Sequence, residues 1–193
     1  MTLDPDQVSD GRRRKGLQRR RLLLDATMRV IERDGPVSVT QRKVATEAGV
    51  PPSAVTYYYA TVDELLVDTL VRVNDNYVAQ ISALPPGDEA IAALARIITP
   101  SDAADRAHLM AECELFLMAA RRPSMRGELL RWSRALDTFL TRYITDPDRR
   151  LAASATIDGL FLRCCVPEGP FSPTEEEIHR VLVRLLHDQD IPG

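Results

Sequence analysis

The segment from Val39 to Leu66, VTQRKVATEAGVPPSAVTYYYATVDELL, constrains this chain more than any other. Thr40 is placed to cap a short helix whose inward residues are Val44, Ala45 and Ala48. Gly49 falls at the following turn, where a left-handed backbone is cheapest for glycine. Pro51 and Pro52 open a second short helix through about Tyr58, since the N–H that proline lacks would have no partner in a first helical turn. Thr61 with Glu64 then forms a capping box for a longer helix. Arg42 and Lys43 sit on the first short helix, and Tyr57 and Tyr58 end the second. Small residues, a glycine turn, basic groups and exposed aromatics in that order suit a helix-turn-helix that docks on DNA.

The rest of the chain reads as helix. Upstream, Leu23, Ala26, Thr27, Val30 and Ile31 recur at helical spacing and predict one buried stripe on a helix from about Gln18 to Asp34, stopped by Gly35-Pro36. Residues 1–16, acidic first and then GRRRKG, read as a disordered arm. The helix that begins at Thr61 runs to about residue 83, where Pro85-Pro86-Gly87 makes the clearest break in the chain. Beyond it, helices are expected at about 88–99, 102–121, 125–144, 148–166 and 174–188. Asp146-Pro147 and Ser172-Pro173 look like cap and first-turn pairs, with Ser172 and Glu175 as a second capping box. Aromatic residues make up only 5% of the chain, so aliphatic and alanine-rich helix packing must supply most of the core. Period-2 apolar runs are scarce, which argues for an all-α chain.

Charge is unevenly placed. Residues 1–60 hold 11 Lys and Arg against 7 Asp and Glu, whereas residues 61–193 hold 14 against 21. A basic first third on an acidic remainder is the electrostatic footprint of a chain that offers one end to nucleic acid. The N-terminus has no apolar core segment and no apolar run approaches a membrane span, so neither a signal peptide nor membrane insertion is expected, and a cytoplasmic setting follows. The three cysteines, Cys113, Cys164 and Cys165, have no metal-ligand spacing and read as reduced thiols.

Over residues 20–70 the chain resembles the TetR family of bacterial transcriptional regulators. The resemblance rests on the stripe helix ending in Gly35, then VTQRKVATEAGV, AVTYYY and TVDELL. It implies an N-terminal three-helix helix-turn-helix DNA-binding domain at 17–60, preceded by the basic arm at 1–16, and a C-terminal helical ligand-binding and dimerisation domain at 61–193. It also implies a homodimer on a double-stranded DNA operator, released by a small-molecule effector, and requires no cofactor. Carried onto this sequence, Arg42 matches a base-reading position, suited to guanine O6 and N7. Thr40 matches a helix cap that touches phosphate, with Lys43 beside it on the same helix. Ser53 and Ala54 match base-facing positions of the recognition helix, and Tyr57 and Tyr58 match the aromatic pair on the phosphate backbone. Val55 and Tyr59 match apolar positions that hold that helix on its core. The chain departs from the family pattern at Thr56, where Tyr is usual, at Pro51-Pro52 and at Val62. Arg12, Arg13 and Arg14 form a basic arm able to lie in a neighbouring minor groove, where narrow A·T tracts attract arginine.

In the C-terminal half, Ile178, Val181, Leu182, Leu185 and Leu186 form a stripe on the last helix. The preceding helix is rich in small residues, a combination that suits a four-helix dimer interface. Candidate ligand-pocket residues are Leu94, Ile98, Met110, Cys113, Glu114, Leu117, Met118, Trp132, Leu136, Phe139 and Phe161, a set of aliphatic, Met and aromatic groups that suits an apolar effector. Taken residue by residue, plain hydrophobic core is the better reading of each. No phosphate loop, GxSxG turn or metalloenzyme motif is present, so no enzyme is expected. Three rivals stay open: a thiol-responsive sensor built on Cys113 or Cys164-Cys165, a metal-dependent protein or enzyme using His108 and Glu112, one helical turn apart, and a family-like protein whose Pro51-Pro52 and Val62 mark a loss of sequence-specific DNA binding.

Overall fold

The computed structural model describes residues 5–166, 169 and 172–187, with side chains described from residue 14 onward. Among these residues the fold is all-α. Its helices are α1 (Pro5–Asp34), α2 (Gln41–Glu47), α3 (Pro52–Tyr58), α4 (Val62–Ser82), α5 (Asp88–Ile98), α6 (Ala103–Arg121), α7 (Arg126–Leu140), α8 (Pro147–Cys164) and α9 (Glu175–His187). Single 3-10 turns at Pro36–Ser38 and Pro123–Met125 precede α2 and α7.

The first helix begins earlier than expected, at Pro5 rather than near Gln18, so Arg12, Arg13 and Arg14 lie on helical backbone rather than on a disordered arm. Proline suits a first helical turn, Asp6 and Asp10 lie toward the helix's positive N-terminal end, and arginine and lysine are good helix formers. Residues 1–4 of the expected arm lie outside the described residues. Further along α1, the predicted stripe is buried in full, with Leu23, Ala26, Thr27, Val30 and Ile31 all at 0–1% exposure. The Thr27 hydroxyl donates to Leu23 O at 2.8 Å, which satisfies its polar group inside the core.

Most of the caps act as their residue types predict. Thr40 Oγ1 accepts from Lys43 N at 3.1 Å, and Asp146 accepts from Asp148 N. Thr61 Oγ1 accepts from Glu64 N at 3.1 Å while the Glu64 carboxylate takes the Ala60 N–H at 2.8 Å, one residue outside the reciprocal box. The last helix differs from expectation. Thr174 and Glu177, not Ser172 and Glu175, form its capping box, through Glu177 N to Thr174 Oγ1 at 3.2 Å and Thr174 N to Glu177 Oε2 at 2.9 Å. Two non-helical residues after Ser172 move the helix start to Glu175 and place Thr174 as the capping residue.

The chain divides into two compact units, Met1–Thr69 and Leu70–Gly193, and the division falls within α4 rather than at its start. The first turns of α4 belong to the first unit because Asp68 accepts from the Tyr59 hydroxyl at 3.2 Å and pairs with Arg20 at 2.8 Å. In that unit α1 and α3 both pack on α2. In the second, α5 and α9 pack closely and α7 lies against α8. Its core runs from Ile81 through Ile91, Leu94, Ile98, Leu136, Phe139 and Ile157 to Ile178, Leu182 and Leu186. No described helix is long and apolar enough to cross a membrane.

Candidate nucleic-acid interface and ligand pocket

In the first unit the turn between α2 and α3 is built by the backbone. Gly49 has φ +65°, a conformation that costs an L side chain. Its N–H donates to Thr46 O at 3.2 Å, and Val50 N donates to Ala45 O at 3.0 Å. Those two bonds close α2 with the paired pattern that a left-handed glycine permits. The seven-residue α3 is too short to hold itself in water, so tertiary contacts must hold it. Val55 is fully buried and Tyr59 is 1% exposed. The Arg20 guanidinium lies 5.4 Å from the Tyr59 ring centre. Burial pushes the Tyr59 phenol above its ordinary range, although the charge of Arg20 works against that shift.

A residue absent from the sequence-based candidates supplies another anchor. The Gln41 side-chain amide donates to Tyr59 O at 2.7 Å and Ala60 O at 3.2 Å. It ties the start of α2 to the end of α3. Glutamine at the first position of a capped helix carries no local signal for this, because the bond spans 18 residues.

Most of the residues expected to face DNA are exposed. Arg42, Thr40, Ser53 and Thr56 are exposed, and Ala54 is half-buried. Tyr57 is 81% exposed, and its ring meets Tyr58 edge to face at 5.0 Å. Lys43 is paired with Asp34 at 3.0 Å, so its charge is partly spent within the protein. Arg33, Thr40, Arg42, Lys43, Thr46 and Glu47 line an open depression of about 410 Å³. Glu47 there accepts from Arg29 at 2.7 Å and Arg33 at 2.9 Å. Those bonds, Arg29 first, hold the Glu47 carboxyl below its ordinary range, and Lys43 and Arg33 do the same for Asp34. Arg14 is exposed, whereas the side chains of Arg12 and Arg13 lie outside the described residues.

The second unit contains a cavity of about 310 Å³. Its wall is made of helix faces read at intervals of three and four. These are Leu109, Glu112, Cys113, Phe116 and Leu117 from α6, Leu129, Trp132 and Ser133 from α7, and Asp158, Phe161 and Leu162 from α8, joined by Tyr77 from α4. Tyr77, Trp132 and Phe161 form a triangle of edge-on rings with centres 5.5–5.9 Å apart. Glu112 is 5% exposed; its Oε2 accepts from the Tyr77 hydroxyl at 2.6 Å and its Oε1 lies 3.2 Å from His108 Nε2. Desolvation first, and then the Glu112 carboxylate, push the Tyr77 phenol far above its ordinary range. Asp158 Oδ1 accepts from Trp132 Nε1 at 2.9 Å, and desolvation raises its carboxyl.

Of the expected pocket residues, Cys113, Leu117, Trp132 and Phe161 line this cavity. Leu94, Ile98, Leu136 and Phe139 do not: they are at 0–1% exposure in the packed core. Met110, Glu114 and Met118 also miss the wall, because they occupy the next row around α6 and helical rotation turns them aside. The missed residues had a signal. Counting three or four from Cys113, Trp132 and Phe161 reaches Leu109, Phe116, Leu129 and Asp158. Tyr77 and Glu112 needed the tertiary structure. Glu112 and His108 do meet, but the described residues hold no group of three or more possible metal ligands.

Comparison with known proteins agrees with both halves. A family model described as "Bacterial regulatory proteins, tetR family" matches residues 23–69, and one described as "Tetracyclin repressor-like, C-terminal domain" matches residues 85–188. The HTH-type transcriptional regulator BetI of Rhizobium meliloti (strain 1021) is 30% identical over 80% of this chain and 81% of its own length. The multidrug binding protein EbrR in complex with ethidium superposes with a TM-score of 0.69 at 33% identity, over 86% of this chain and 97% of that one. The same protein with malachite green gives 0.70 at 30% identity, over 86% and 97% of the two chains. A TetR-family member from Streptomyces coelicolor A3, SCO1917, gives a TM-score of 0.73 at 32% identity, over 87% and 98%. With the glycine-turn helix pair in one unit, a walled cavity in the other, and both matched by family models, this chain belongs to the TetR family of DNA-binding transcriptional regulators.

Proposed function

We propose that this protein is a homodimeric repressor that holds its operator through α2 and α3 and releases it when an apolar organic cation enters the cavity of the second unit. The observation that carries the ligand class is Glu112, a carboxylate buried among Tyr77, Trp132 and Phe161. A buried carboxylate whose Oε2 takes the Tyr77 hydroxyl and whose Oε1 meets the half-exposed His108 ring at 3.2 Å still favours a positive charge in the cavity, and aromatic faces attract cations by about 2 kcal/mol when desolvated. Ethidium and malachite green, the ligands of the similar EbrR structures, are both aromatic cations. A volume of about 310 Å³ accepts a small ring system or quaternary ammonium group.

On the DNA side, Arg42 reads a base edge, Ser53 and Ala54 face the groove, and Thr40, Tyr57 and Tyr58 meet phosphate. Arg42, Thr40, Ser53 and Tyr57 are exposed in the structure, as this reading needs. Two recognition helices must lie about one helical turn of DNA apart, which a two-fold dimer supplies. The stripe on α9 is partly spent inside the unit, since Ile178, Leu182 and Leu186 are fully buried, but Val181 on α9 and Leu151 on α8 stay exposed for a partner. Ligand binding then favours a conformer whose half-site spacing no longer fits the operator. Tyr77, at the cavity, lies on the same helix α4 whose Asp68 secures Tyr59 at the end of α3.

Titrating the protein with ethidium, followed by its fluorescence, tests the ligand class. Wild-type protein is expected to bind, and Glu112→Gln, which keeps the acceptor for Tyr77, to bind about 10–100-fold more weakly, the usual worth of a charged contact. Equal binding by both proteins would overturn the role of Glu112, and no binding by wild type would overturn the cationic ligand.

A further inference from the structure

The cavity wall holds a second chemical feature that ligand binding does not use. Cys113 on α6 and Cys165 just past the end of α8 are separated by 52 residues in the chain, yet their sulfurs lie 3.4 Å apart. Both are free thiols. Cys113 lines the cavity and is only partly buried, whereas Cys165 is 5% exposed. The Cys165 sulfur also lies 3.5 Å from Phe161 O, inside its own helix turn. Cys164, its sequence neighbour, is 1% exposed, and burial pushes its thiol up to about 11. We propose that Cys113 on the pocket wall and the buried Cys165 behind it form a dithiol site, which closes to an intramolecular disulfide when a small peroxide enters the cavity.

Geometry carries this assignment. Two sulfurs at 3.4 Å need only close to the about 2 Å of an S–S bond, a movement within reach of side-chain rotation. The cavity gives a small oxidant access to Cys113, which a sealed core would deny. The pair shares a proton: when Cys165 loses its own, the remaining Cys113 thiol donates to the sulfur, which lowers Cys165 and raises Cys113. Thiolate, not thiol, is the nucleophile. The Cys113 proton passes across the 3.4 Å contact to the Cys165 sulfur, so that the Cys113 sulfur facing the cavity attacks one peroxide oxygen, an S–O bond forms, the O–O bond breaks, and the departing hydroxide takes up a proton as water. The second sulfur then attacks the sulfenic sulfur, an S–S bond forms, the S–O bond breaks and a second water leaves. Two thiols and one hydrogen peroxide thus give one disulfide and two waters. The new bond joins α6 to the end of α8, two of the walls on which the cavity depends.

The test is a thiol count on full-length protein, denatured after exposure to a small excess of hydrogen peroxide and compared with untreated protein. The expected titre falls from three thiols to one, with a mass loss of two hydrogens and monomer on a non-reducing gel. Cys164→Ser should fall from two thiols to none. Cys113→Ser and Cys165→Ser should each keep two thiols and form no intramolecular bond. Because the three single variants carry the same kind of change at neighbouring sites, Cys164→Ser also controls for loss of folding. A titre that stays at three, a disulfide that includes Cys164 or joins two chains, or sulfinic acid formed without a disulfide would each overturn the proposal.

Discussion

Removing the Gln41 amide tests how the recognition helix is held. In the structure it makes a part-buried bond to Tyr59 O at 2.7 Å and an exposed one to Ala60 O at 3.2 Å. A net hydrogen bond contributes about 1 kcal/mol, and an exposed, longer one about half of that, so Gln41→Ala should cost about 1.5 kcal/mol. The carbonyls lie at the end of α3, so the loss should appear as local opening of that helix rather than as global unfolding. Amide hydrogen exchange at Tyr59, whose N–H donates to Val55 O at 2.9 Å, reads this directly. A cost of about 1.5 kcal/mol predicts exchange about 10-fold faster, with amides in α5 and α9 unchanged. Gln41→Glu is the sharper variant: it keeps the shape but turns the amide N–H donor into an oxygen facing two carbonyl oxygens, so exchange should accelerate further. Tyr59 protection within about threefold of wild type in Gln41→Ala would mean that water replaces the amide at no cost. Wild-type protection in Gln41→Glu would refute the donor geometry itself.

Three further outcomes follow from other parts of the molecule. Arg42→Ala should weaken operator binding and relax base preference at one position, whereas Tyr57→Ala should weaken binding to all sequences alike. Equal loss across sequences for Arg42→Ala, in titrations against operator DNA and single-base variants of it, would remove it as a reader. Leu151→Glu with Val181→Glu, both exposed sites, should leave helix content intact and shift the protein toward monomer in sedimentation equilibrium, while an unchanged mass would place any dimer interface elsewhere. Acid should loosen the first unit. Asp34 and Glu47 have carboxyls held below their ordinary values in the fold, so their contribution is present above about pH 4 and is lost as pH falls through the folded values. Exchange of α2 amides between pH 6 and pH 3, corrected for intrinsic rates, should show that loss, and Glu47→Gln should flatten part of it.

The helices and their ends were legible in the sequence because their signals are local. The stripe on α1, the caps at Thr40 and Asp146, and the left-handed Gly49 each act through residues within a few positions, so residue type and spacing determine them without knowledge of the fold. The same locality explains the misses. Arg12 to Lys15 look like an arm by charge alone, yet their helix propensity carries α1 through them, and Ser172 matches a capping pattern that Thr174 fills. Periodicity says which face of a helix leaves water, but not what that face meets. That is why Leu94, Ile98, Leu136 and Phe139 were indistinguishable from cavity residues until the packing placed them in solid core. It is also why Tyr77 beside Glu112, Gln41 under the end of α3, and two sulfurs 3.4 Å apart were invisible in the chain. Sequence alone determined a helical protein with a DNA-docking turn. Contacts between residues 18, 35 and 52 positions apart decided what holds that turn and what chemistry lines the cavity, because such contacts exist only once helices have packed.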